Sequence, residues 1–199
     1  MGMPDVTQEL KGFVSDMLGC IHTALPGKVV SYNADRGEAD VLPFGKFKKP
    51  DGNVIDYPRI SGVPVLSLQG AAQGAVIAYP IKEGDECLLL FTEQPLDIWR
   101  TGAATSTDLS FDLTNAVAIV GLFAKASHVA KEAAKRDAVI IDRNGARIML
   151  LPNNSVAIVA NVTIRGSLSV SGGINSGELN LDSHTHVSSE PGRNTGGPI

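Results

Sequence analysis

The hydrophobic rhythm changes twice along the chain. Near the start, Val6, Leu10, Phe13, Met17, Cys20 or Ile21, and Ala24 recur at steps of three and four, the spacing of one helical face. Pro4 and Asp5 stand where such a helix would begin, and Pro26-Gly27 where it would end. The pattern predicts an N-terminal helix over 1–26. A solitary helix of that length is marginal in water, so its apolar stripe needs a partner in its own domain or on a neighbouring chain.

From residue 28 to about 122 the rhythm becomes that of short strands. Residues 29–32 face 39–42 across a polar, Gly-bearing loop at 33–38, a hairpin pattern. Residues 63–66 read as a third strand and 74–79 as a fourth. The polar turn Lys82-Glu83-Gly84-Asp85 leads into a fifth at 86–91. Five short strands fit a small closed OB-like barrel, assigned to 27–123. Trp99 and the run Val117-Ala118-Ile119-Val120 close that segment. The Ala- and Lys-rich stretch over 124–137 then reads as a helical linker, with His128 a solvated side chain.

Beyond residue 138 the period is two. Val139 and Ile141 alternate, followed by Ala146, Ile148 and Leu150, then Val156, Ile158, Val162, Ile164, Leu168 and Val170, and finally Ile174, Leu179 and Leu181. Turns fall at Asp142-Arg143-Asn144-Gly145, Pro152-Asn153-Asn154, Arg165-Gly166 and Ser171-Gly172-Gly173. Each strand has one apolar face, the tract has no aromatic residue, and no sequence remains to cover that face. Identical chains wound about a common axis can cover it, and they also remove exposed strand edges. The pattern predicts an obligate cyclic homo-oligomer, with 138–182 as an intertwined stalk and 183–199 as its tip.

Composition fits this picture. Aromatic residues make up only 5% of the 199, and 21 residues are glycine, which suits thin β-structure. The formal charge of −4 offers no basic surface for nucleic acid. No apolar run approaches the roughly 20 residues that cross a bilayer, and the start lacks the order of a signal peptide. The expectation is a soluble product made in the cytoplasm. Cys20 and Cys87 read as buried free thiols. No nucleophile elbow or Walker loop is present, so no enzymatic activity is expected. Asp51-Gly52-Asn53 and Asn144-Gly145 read as turns rather than ion sites. OB-type barrels bind oligosaccharides or nucleic acids in other settings, but the acidic balance and few aromatics argue against that here.

The last segment carries His184-Thr185-His186. In an extended chain, residues two apart project to the same side. Around a threefold axis, two imidazoles per chain converge as six, which suits an octahedral ion such as Fe2+ better than zinc, which prefers four ligands. The same pair could also stand exposed on a terminal tail. A metal is favoured because the pair directly follows a tract that demands a symmetric oligomer, and because the tail has little else to anchor it. Imidazoles must be neutral to bind, so acid should weaken such a tip.

His184-Thr185-His186, followed by Pro191-Gly192 and Asn194-Thr195-Gly196-Gly197-Pro198, resembles the apex of contractile-tail central spike proteins of phages, the baseplate assembly protein V-like, membrane-puncturing group. The runs Ile81-Lys82-Glu83-Gly84-Asp85-Glu86-Cys87-Leu88-Leu89-Leu90-Phe91 and Phe111-Asp112-Leu113-Thr114-Asn115-Ala116-Val117-Ala118-Ile119-Val120-Gly121-Leu122 are similar to that family's segments before the stalk. The resemblance implies an N-terminal OB domain, a trimeric triple-stranded β-helix, and an apex where one iron ion is shared by His184 and His186 of three chains. Another divalent metal would serve in its place. It also implies a homotrimer in the virion, at the tail baseplate, held at its N-terminal end by tail-tube and hub proteins. Sheath contraction would drive it through the host outer membrane. The segment 124–137 is longer and more helical than the family pattern suggests. Two rivals are a tail protein with lytic activity, for which no spare domain exists, and a trimeric receptor- or glycan-binding tail module with no piercing role.

Overall fold

A computed structural model describes residues 6–19, 21–49, 52–103, 109–177 and 179–180. The chain divides into two compact units, Met1–Ser127 and His128–Ile199. The protein is mainly β.

The first unit opens with α1 (Val6–Gly19) and continues through β1 (Ala24–Asn33), β2 (Glu38–Pro43), β3 (Lys46–Lys48), β4 (Val54–Asp56), β5 (Ile60–Pro64), β6 (Leu68–Gly70), β7 (Ala75–Ile77), β8 (Glu86–Phe91), α2 (Leu96–Thr101) and β9 (Ala116–Val120). Five of these strands form one antiparallel sheet in the order β5-β2-β1-β8-β9. A single parallel bridge between Val65 and Ala118, with the Leu66 amide donating to the Ala118 carbonyl at 2.9 Å, ties its two ends together. The result is a curled half-barrel compatible with an OB-like fold.

The alternation in these strands sorts side chains as the period-two rule requires. Val29, Val41, Ile60, Val63, Cys87, Leu89, Phe91, Ala118 and Val120 turn inward and form the core. Burial pushes the Cys87 thiol up to about 11, against a smaller opposing hydrogen bond at Gly27, so the thiol stays protonated and inert near neutrality. Cys20 lies outside the described residues.

Two expectations are corrected. The N-terminal helix stops at Gly19 rather than at Pro26-Gly27, because residues from Ala24 onward are drawn into β1. There Pro26 pairs with Leu88 and Gly27 with both Cys87 and Pro43. The ladder to β2 begins only at Gly27, so the proline's missing N–H interrupts little of it. Gly27 is itself required. A Cβ there would lie 2.8 Å from Val41 Cγ1, closer than carbon atoms pack.

The second correction concerns the barrel's strands. Residues 74–79 do not join the sheet. Their β7 pairs with β6 in a separate two-stranded hairpin, and its side chains are exposed. The fifth strand of the sheet is β9, which seals the core edge along β8. The β3–β4 hairpin was not foreseen either, since three-residue strands leave too short a period to read.

The second unit begins with α3 (His128–Arg136), followed by β10 (Val139–Arg143), β11 (Ala146–Leu150), β12 (Val156–Val159), β13 (Asn175–Ser176) and β14 (Leu179–Asn180). Strands β10, β11 and β12 form an antiparallel meander. Asn144 and Gly145, both with positive φ (53° and 93°), make the two-residue turn that joins β10 to β11 with a twist matching the strands. Asp137, also at positive φ, ends α3, and the Ala138 amide returns to the Ala133 carbonyl at 3.1 Å, the usual way to close a helix C-terminus.

Candidate functional site

The three-stranded sheet of the second unit has two unlike faces. The pairing sets Val139, Leu150 and Val156 in one cross-strand row, and Ile141, Ile148 and Ile158 in the next. All six are on the same face, and every one is aliphatic. None is covered, with exposures running from 44% at Ile148 to 66% at Ile141. These are the residues whose alternation the sequence marked as needing cover.

On the opposite face, Ile140, Asp142, Arg147, Met149 and Ala157 are half-buried. Helix α3 packs against β10 on this side, turning Val129, Glu132 and Ala133 toward the sheet as one helical stripe. A charged clamp fixes it. Arg147 Nη1 donates to Glu132 Oε2 at 2.7 Å, Arg147 Nε donates to Asp142 Oδ2, and Arg136 Nε donates to Glu132 Oε1 at 2.8 Å.

The charges respond as such a clamp should. The Arg147 hydrogen bond holds the Glu132 carboxyl below its ordinary value, against a burial effect that would raise it, and Arg136 adds to the lowering. Burial would raise the Asp142 carboxyl, but the Arg147 bond and the Gly145 amide outweigh it and keep that group low too. Helix α3 thus satisfies one face of the sheet, and the aliphatic face is left for something else.

Two more features point the same way. Strands β10 and β12 are both open edges of the sheet. Past β12, Val162, Ile164, Leu168 and Val170 continue the alternation and are exposed, while residues 160–174 form no strand pairing among the described residues. A period-two apolar tract without an in-chain ladder has neither its side chains nor its backbone groups supplied by its own fold.

Sequence reasoning therefore found the open face correctly but placed its chemical site elsewhere. His184 and His186 lie outside the described residues, as does the whole tip at 183–199. Among the described residues no group of three or more His, Cys, Asp or Glu could hold a metal ion, and no helix is long and apolar enough to cross a membrane. His128 opens α3 and is exposed. In the first unit, the apolar stripe of α1 is also uncovered, with Val6, Leu10, Phe13 and Met17 all exposed.

The first unit belongs to the class of small curled antiparallel β-domains, compatible with the OB type. Residues 25–121, which run from the start of β1 to just past β9, match the family model described as the phage protein Gp138 N-terminal domain. No curated protein matches the chain. The match, over just under half of the chain, supports a phage protein associated with the tail or baseplate.

Proposed function

We propose that the chain is the central spike of a contractile phage tail, acting as a homotrimer that is driven through the host outer membrane when the sheath contracts. The observation that carries this reading is the six-residue aliphatic face of β10–β12, left open while the reverse face is clamped by α3. Three copies placing those faces on a common axis would bury them. Completing the burial of six half-exposed aliphatic side chains is worth on the order of 5 kcal/mol per chain before the cost of association. The unpaired alternation at 160–174 would extend the same stalk, and the match of residues 25–121 to a phage tail-associated family supports the setting.

A piercing rod must resist buckling and fraying, and chains that can separate only together meet that need. The work is mechanical, and no catalytic step is required. Tail-tube and hub proteins would grip the end that carries α1, whose exposed stripe is available to them. At the front, His184 and His186 of three chains would hold one Fe2+ or another divalent ion and pin the tip. This part rests on the spacing of the two histidines and on the resemblance of the tail sequence.

Elemental analysis of the purified assembly tests the tip directly. About one iron per three chains is expected, and replacing both His184 and His186 with Ala should abolish it without dissociating the stalk. A protein with no stoichiometric metal, or one whose infectivity is indifferent to the double change, would remove the tip from the reading.

A further inference from the structure

A second open surface lies wholly within the first unit. It is a cleft of about 770 Å3, within the range of small-ligand sites. Tyr32, Ser67, Gln69, Gln73 and Trp99 line it, together with the charged Asp35, Arg36, Glu38 and Arg100. Trp99 is 72% exposed. An indole left so open forfeits the largest apolar burial any side chain can offer.

The helix that carries the ring is not loose. Asn115, only 3% exposed, braces its approach: its Nδ2 donates to Thr92 Oγ1 at 2.6 Å, to the Gln94 carbonyl at 2.9 Å and to the Leu109 carbonyl at 3.1 Å, and its Oδ1 accepts from the Leu96 amide at 2.9 Å. One residue past the indole, Arg100 donates to the Gly62 carbonyl at 2.9 Å and pairs with Glu38 at 3.1 Å. The one buried polar side chain among the described residues thus helps to fix a helix whose largest ring is left in solvent. A rigid element presenting an unburied aromatic is the build of a recognition platform.

The turn that carries Gln73 is strained. Ala71, Ala72 and Gln73 adopt φ of 50°, 50° and 72°. Three consecutive non-glycine residues in the left-handed region cost about 1 kcal/mol or more each, and strain of this kind gathers at ligand clamps. The turn brings Gln73 to the cleft beside Gln69, and neither side-chain amide has a hydrogen-bond partner among the described residues.

The electrostatics narrow the ligand. Glu38 is bridged by Arg36 at 2.9 Å and Arg100 at 3.1 Å, so no free cation waits for phosphate, and a chain of net charge −4 repels nucleic acid. The polar lining does not suit an apolar ligand. A pyranose ring has one face of C–H bonds and a rim of hydroxyls, which is the complement of one indole flanked by free amides. We propose that this cleft binds a short neutral oligosaccharide, with Trp99 as the stacking surface and Gln69 and Gln73 as hydroxyl partners. The proposal runs against the expectation drawn from sparse aromatics, on the ground that one aromatic suffices when it is left open. The proposal stands whether or not the chain is a spike.

Trp99 is the only tryptophan, so its emission reports on the cleft alone. The full-length protein is titrated with chitotriose and with maltotriose through the millimolar range. A saturable change with at least one is expected. Chitotriose would indicate the N-acetylated sugars of a cell wall, and maltotriose a surface polysaccharide bearing hydroxyls only. By calorimetry, Trp99→Ala should weaken binding about tenfold or more, in line with the loss of an aromatic stack, and Gln73→Ala should weaken it less, with thermal melting unchanged in both. No saturable response to either sugar, or native-like affinity in both variants, would overturn the proposal.

Discussion

The half-barrel of the first unit and the meander of the second are built from the same alternation, yet one hides its apolar face and the other does not. The five-stranded sheet has enough strands to curl, and Val65 meets Ala118 so that both ends close over Val29, Val41, Leu89 and Phe91. The three-stranded sheet cannot curl on itself. Among the described residues its one covering element, α3, lies on the face bearing Asp142 and Arg147, and Val139, Ile141, Ile148, Leu150, Val156 and Ile158 stay open. Period two therefore says which residues share a face but not what covers them. The cover depends on strand number and on where the helices go.

This contrast can be broken by matched substitutions. The largest expected effect is from Ile148→Asp. Its side chain is already 44% exposed, so the isolated chain should lose little stability, in keeping with other surface changes. Buried at an axis, three such carboxylates would repel and desolvate one another, and the assembly should fall to monomers in sedimentation while the first unit's thermal transition persists. The next effect is from Leu89→Ala, at a fully buried core position. It should cost about 2–5 kcal/mol, read as a lower melting temperature of the first unit at any protein concentration. An assembly-borne loss would instead vary with concentration.

The smallest effect is that of acid on the α3 clamp. Glu132 and Asp142 both have lowered folded-state values. Their stabilising contribution is therefore present above the unfolded values, about 4.3 and 3.9, and is lost as pH falls through the folded ones. Helicity of the second unit should decline below about pH 4, and Arg147→Met should flatten that dependence. A helix content indifferent to both acid and the substitution would mean that the clamp does not hold α3.

Much of the fold was legible because long strands repeat their pattern. The 29–42 hairpin, the strand over 86–91 and the alternating strands from Val139 to Ile158 each offer several alternations. Each is found as strand, the last three pairing within the chain as a meander that the expected intertwined stalk did not include. Shorter strands were not. With three residues apiece, β3, β4, β6 and β7 show no rhythm, and the run at 74–79 looked like a barrel strand although its pairing lies with β6. The end of α1 differs from the pattern because Ile21 and Ala24 keep helical spacing although Ala24 already pairs with Leu90 of β8. Of the site, the aliphatic face was readable residue by residue, since burial demand is written in the side chains. The Trp99 cleft was not, because nothing local tells whether an indole faces the core or water, and the brace from Asn115 joins positions far apart in sequence.

The native mass of the purified full-length protein, by mass spectrometry or sedimentation at dilute concentration, bears most directly on the stalk. Burial of the β10–β12 face between copies predicts three copies of the 20.9 kDa chain and no populated monomer. A well-ordered monomer persisting at micromolar concentration would contradict it.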